Sequence, residues 1–129
     1  MNKILVEVSV GELLDKISIL EIKSEKIKDP EKLNYIKDEY KILKDQLNTN
    51  IKDYSEVESL YNSLKEINSK LWVIEDDKRL CEKNSEFGEK FIKLSRDVHF
   101  LNDERSKLKL EINNKTGSKI KEIKEYTKY

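Results

Sequence analysis

Apolar residues recur three and four positions apart along most of the chain, the spacing of a stripe down one side of an α-helix at roughly 100° per residue. In "VGELLDKISILEIK", Val10, Leu13, Leu14, Ile17 and Leu20 fall in one arc, with Ile27 at its edge. Ser9, three residues before Glu12, makes a capping box that starts this helix near Val10. The stripe predicts a first helix over 10–27, ended by "KDPEK", where Pro30 disfavours helix at Asp29 and suits the first turn of the next. A second helix is expected over 31–48, with Leu33, Ile36, Tyr40, Leu43 and Leu47 as its stripe. "NTNIKDYS" turns the chain into a third over 55–83, with Ser55 as a candidate cap and a seam running from Val57 through Leu60, Leu64, Ile67 and Leu71 to Ile74. The fourth, over 88–114, carries Phe87, Phe91, Leu94, Val98, Leu101, Leu108 and Ile112, and Gly117 fits a C-terminal cap.

The two ends read differently. "KILVEV" is β-branched enough for a short strand or extended arm over 1–8, lying on the helices or pairing with a second copy, since a lone strand cannot satisfy its own backbone. "KIKEIKEY" predicts a short helix over 119–126 that docks Ile120 and Ile123. The expected architecture is therefore all-α, one helical domain over 1–129. It is an antiparallel bundle of about four long helices in two hairpins, with a short N-terminal arm and a short C-terminal helix.

Composition narrows this picture. Three glycines and one proline in 129 residues leave few breaks, consistent with a few long elements and one modest core. Charged residues make up 40% of the chain, but 26 basic and 26 acidic side chains cancel, so the surface field that draws a protein to nucleic acid or to a membrane is missing. Cys81 is the one cysteine and cannot form an internal disulfide; "MNKILVEVSV" contains Glu7 and is too short for a signal peptide or membrane span, so a cytoplasmic setting is expected.

Candidate chemistry appears where the seams turn polar. Glu21 projects between Val10 and Leu14. Beyond Ile74, the third seam continues into Glu75, Lys78 and Glu82, and Arg105 stands mid-seam between Leu101 and Leu108, with Lys109 one turn on and Asn102 at its flank. A buried charge must pair, titrate or bind something. The register of an antiparallel hairpin sets Arg105 against Glu21 or Glu66 rather than Glu82. Metal chemistry finds little support: His99 is the one histidine and lacks an acid three residues before it, and the acidic turns Glu12/Asp15 and Glu86/Glu89 are cheap matches to a magnesium-holding pattern. No Gly-rich phosphate loop and no zinc-spaced Cys/His cluster occurs, so no cofactor and no metal is expected.

The segments "VSVGELLDKISILEIK", "LWVIEDDKR", "FIKLSRDV", "NDERSKLKLEIN" and "GSKIKEIKEY" resemble an uncharacterised, domain-of-unknown-function family of small helical proteins from marine bacteria and their viruses. The resemblance spares only the region around residues 28–58, and its matched polar positions include Asp15, Glu21, Glu75, Arg79, Asn102, Arg105 and Lys109. Lys78 and His99 depart from the pattern, which is aliphatic and tyrosine there. The resemblance implies a role for the seam charges but supplies no activity.

Two readings follow, neither assigning a reaction. In the first, a polar seam binds a small anionic ligand, phosphorylated or sugar-derived: Arg105, Lys109 and Arg79 hold the anion, while Glu21, Glu75 and Asn102 orient the cations or bond to ligand hydroxyls. In the second, the protein is a non-enzymatic scaffold that dimerises, and its buried charges set helix register.

Overall fold

Local signals start and stop each helix. The computed structural model describes residues 2–125, 127 and 128. Helix α1 (Val10–Lys26) opens at Ser9, whose hydroxyl accepts from the Glu12 N–H at 3.0 Å. The reciprocal half of the capping box is not made, because Glu12 turns to lysines instead. Asp29 caps α2 (Pro30–Asn50) by accepting from the Lys32 N–H at 3.0 Å, and Pro30 takes the first helical position, where its missing N–H costs nothing. A 3₁₀ turn, Tyr54–Glu56, capped by Asp53, then leads into α3 (Glu58–Lys83), so Ser55 belongs to this turn and does not cap α3. α3 ends on Ser85 at φ 53, with the Glu86 N–H returning to the Cys81 carbonyl at 2.8 Å. α4 (Glu89–Thr116) ends on Gly117 in the left-handed conformation, φ 64, with the Ser118 N–H reaching back to the Asn113 carbonyl at 3.0 Å.

Among the described residues the protein is all-helical, with four long helices packed on one another and no strand. Residues 2–8 of the expected arm are neither helix nor strand; Met1 lies outside the described residues. The short C-terminal helix does not form over 119–125, and Tyr126, its expected last residue, lies outside the described residues. There Gly117 reverses the chain and side-chain contacts take over, as described below.

α1 is the hub, packing on α2, α3 and α4. Its expected face meets a core of Leu47, Val57, Tyr61, Leu64 and Ile112 through Leu14 and Ile17. A second face is buried too: Gly11, Asp15, Ser18 and Ile22, spaced four, three and four, lie against the α3–α4 hairpin. The first turns of this face meet α4 and the later ones meet α3, so α1 lies across the base of that hairpin. Small residues permit the approach: a Cβ on Gly11 would stand 2.5 Å from the Lys109 carbonyl oxygen. Further out, Cys81 is the single buried residue among the described residues 72–108. The outer hairpin is two helices seamed by half-buried Ile74, Phe91, Leu94, Val98 and Leu101.

Candidate functional site

Asp15 is the centre of the polar interior. It is 1% exposed, and α1's second face aims it into the groove between α3 and α4. The Arg105 guanidinium grips it with two bonds, Nε to Oδ1 at 2.9 Å and Nη2 to Oδ2 at 2.5 Å, the fork geometry that makes Arg–carboxylate pairs strong. From α3, Asn68 donates to Asp15 Oδ1 at 2.9 Å and to Ser18 Oγ at 2.8 Å, and Ser18 in turn donates to the Asp15 carbonyl. One carboxylate thereby ties three helices. Hydrogen bonding to Asp15, and then the Asp15 charge, raise the Arg105 pKa further above its ordinary value against the opposing effect of burial.

A second cluster lies one turn along α4. Lys109, almost fully buried, donates to Glu12 at 2.6 Å and to Glu122 of the C-terminal tail at 2.9 Å. Burial works against its ammonium, but the hydrogen bonds it donates to Glu12 and then to Glu122 outweigh that and raise its pKa. Lys124, followed by Lys109, holds the Glu122 carboxyl down to about 2. Beside these bonds, Asn113 Oδ1 accepts from the Gly11 N–H at 2.7 Å and Ser118 Oγ from the Val10 N–H at 3.3 Å, satisfying the free donors of α1's first turn.

Glu21 has a different partner from the one expected. It does not meet Arg105; its carboxylate accepts from the Tyr61 hydroxyl and from Lys65 at 3.2 Å, and Lys65 also reaches Glu25 at 3.0 Å. Burial first, and then the Glu21 charge, push the Tyr54 phenol up to about 12 and raise that of Tyr40; Tyr61 is raised by burial and then by its hydrogen bond to Glu21. Glu66, the other expected partner of Arg105, pairs with Lys70 on its own helix. The candidate residues therefore divide. Asn102, Arg105 and Lys109 come together, with His99, Asp103, Ser106, Glu122, Lys124 and Thr127, around a cleft of about 650 Å³ between α4 and the tail. Glu21 belongs to the tyrosine cluster, and Glu75 and Arg79 are exposed on the outer hairpin, outside the cleft.

The sequence reading missed Asp15, Glu12, Asn68 and Ser18 as members of the interior set. For Asp15 and Ser18 the signal was the four-three-four spacing from Gly11 to Ile22, visible once small and polar residues are admitted as seam positions, and Asp15 also stands among the matched positions of the resemblance. Among the described residues, no buried side-chain nitrogen or oxygen lacks a partner. No three His, Cys, Asp or Glu side chains gather as metal ligands among them, and no helix is long and apolar enough to cross a membrane.

A family model described as a family of unknown function, DUF6165, matches residues 4–129. The chain belongs to this family. The match takes in the whole α1–α4 body and the tail that closes the cleft, so the ionic interior lies inside the family's own extent. Comparisons with curated proteins and with solved structures returned no match.

Proposed function

We propose that the protein is a non-enzymatic scaffold that works in the cytoplasm as a homodimer, its buried charges serving to fix how the two helical hairpins cross. One observation carries this reading: the three cations that α3 and α4 bring against α1 are each already closed by carboxylates of the same chain. Arg105 is taken by Asp15, Lys109 by Glu12 and Glu122, and Lys65 by Glu21 and Glu25. An anion receptor keeps charge in reserve for its ligand; here the charges satisfy one another, as register-setting pairs do. The outer hairpin, exposing Val73, Leu80 and Ile92, suits an arm that presents surface rather than one that shelters a reaction.

Anion binding is the second reading, favoured by one observation. The cleft exposes part of the Arg105 side chain, and Lys109 there is held by the tail carboxylate of Glu122, a position that a phosphorylated or sugar-derived anion could take over. Arg105→Met separates the two. The scaffold reading expects a loss of about 3–5 kcal/mol, because Asp15 is left buried and unpaired. It also expects no thermal stabilisation of the native protein by nucleotides, sugar nucleotides or phosphorylated metabolites. A ligand that raises the native melting temperature and loses this effect in a variant that still folds moves the assignment to the second reading.

A further inference from the structure

Both ends of the chain leave the bundle at one place. The Val10 N–H donates to Ser118 Oγ at 3.3 Å, so the arm before α1 and the tail after α4 start side by side. Together they carry six aliphatic side chains toward water: Ile4 and Leu5 at 86% exposure, Val6 at 75%, Val8 at 41%, Ile120 at 38% and Ile123 at 76%. Among the described residues, none of residues 2–8 enters a hydrogen bond or an ion pair. A run of β-branched residues with free backbone donors and acceptors is a template for another strand.

The order of residues says which strand. If two copies of "NKILVEV" run antiparallel with Leu5 opposite Leu5, Lys3 of each stands opposite Glu7 of the other, and Ile4 stands opposite Val6. Opposed charges directly across a strand pair attract, and like charges repel. Alternation then sorts the faces. One side of such a ribbon shows Lys3, Leu5 and Glu7; the other shows Ile4, Val6 and Val8, with Asn2 at its end opposite the second copy's Val8. Two strands alone are marginal in water and need an apolar platform beneath them. Ile120 and Ile123, starting beside the arm's root, supply one from each copy.

We infer that the N-terminal arm is the dimer contact, pairing antiparallel with the same arm of a second copy about Leu5, its aliphatic face laid on the tails. This rests on the scaffold reading and names the surface that reading requires. The contact is isologous, so it closes at two copies and does not propagate into a fibre.

Charge exchange on the full chain tests it, with mass read by sedimentation velocity. The native protein sediments at twice the chain mass. Lys3→Glu alone sets Glu against Glu7, and Glu7→Lys alone sets Lys against Lys3, so each variant by itself sediments as a monomer. An equimolar mixture of the two restores both opposed pairs and the doubled mass, and so does the double variant Lys3→Glu/Glu7→Lys. Circular dichroism stays native throughout, because the arm contributes nothing to the helical core. Single variants that remain dimeric overturn the arm contact while leaving a dimeric scaffold joined elsewhere. Single variants that are monomeric but fail to recombine overturn the pairing about Leu5. A native protein that is monomeric overturns both this inference and the dimeric scaffold.

Discussion

The base of the bundle and the outer half of the α3–α4 hairpin are written in the same three-and-four spacing, yet only one of them has an interior. At the base, α1 wedges into the hairpin, and Leu14, Ile17, Val57, Leu64 and Ile112 are almost wholly removed from water. In the outer half the seam residues are half-buried, Phe87 packs edge-to-face on Phe91 at 5.5 Å, and Lys78 lies 5.8 Å from the Phe91 ring. Apolar residues line the seam in both regions, although on α3 it turns polar after Ile74; the larger difference is a third helix to cover it. Two helices bury a strip, whereas a third crossing helix makes an enclosed volume in which a charge must be fully paired. The full ionic network accordingly sits under α1, and the seam charges beyond it, Glu75 and Glu82, remain in water.

This contrast breaks down first under cavity formation. Leu64→Ala at the base is expected to cost about 2–5 kcal/mol in urea unfolding, while Leu94→Ala in the outer half costs about 1 kcal/mol, since its site is already partly wet. Equal losses would mean that the outer hairpin is packed as tightly as the base. Gly11→Ala tests the closeness of the wedge. Its new methyl group meets the Lys109 carbonyl, a backbone atom that cannot swing aside, and the expected loss is about 1–3 kcal/mol. The same change at Gly88, where nothing lies within 4 Å, leaves no clash.

The tail is the next place to sharpen it. Glu122 has a depressed pKa, so its hold on Lys109 and Lys124 is fully present above the ordinary value of 4.5 and is lost as pH falls toward about 2. Protection of the 118–125 amides, relative to their intrinsic exchange at each pH, should fall through that window and should also fall in Glu122→Gln at neutral pH. A tail indifferent to both would show that the cleft is closed by something other than this carboxylate. The smallest effect is expected at Ser85, a non-glycine residue in the left-handed region at the tip of the hairpin. Ser85→Gly should stabilise by roughly 0.5–1 kcal/mol and slow local opening of the outer half, measured by native-state exchange.

The helices were legible because their apolar stripes are periodic and their ends carry Ser9, Pro30 and Gly117, each with its own backbone reason for standing there. The interior was legible in part. Arg105 reads as a mid-seam guanidinium that demands a carboxylate, and it has one, but on Asp15 rather than Glu21. Asp15 escaped because it lies on α1's second face, where Gly11 and Ser18 look like surface residues until a neighbour approaches closely enough to need them small. Tyr61, which closes Glu21, stands four after Val57 and three before Leu64 and so fits the seam, but a seam drawn through the aliphatic Leu60 passes it over. The tail misled for another reason: Ile120 and Ile123 have helical spacing, but Lys109, Lys124 and Val10 fix this segment through Glu122 and Ser118 in an irregular path. Spacing reports which residues can share a face; it does not report which helix will arrive to cover them.

A double-mutant cycle on Asp15→Asn and Arg105→Met, read by urea unfolding, tests most directly whether the buried charges exist to hold the helices together. Each single change is expected to destabilise, the double variant to recover a good part of the loss, and the coupling between the sites to be about 2 kcal/mol. Additive effects, or an Arg105→Met protein as stable as the native one, would contradict that role for the buried charges.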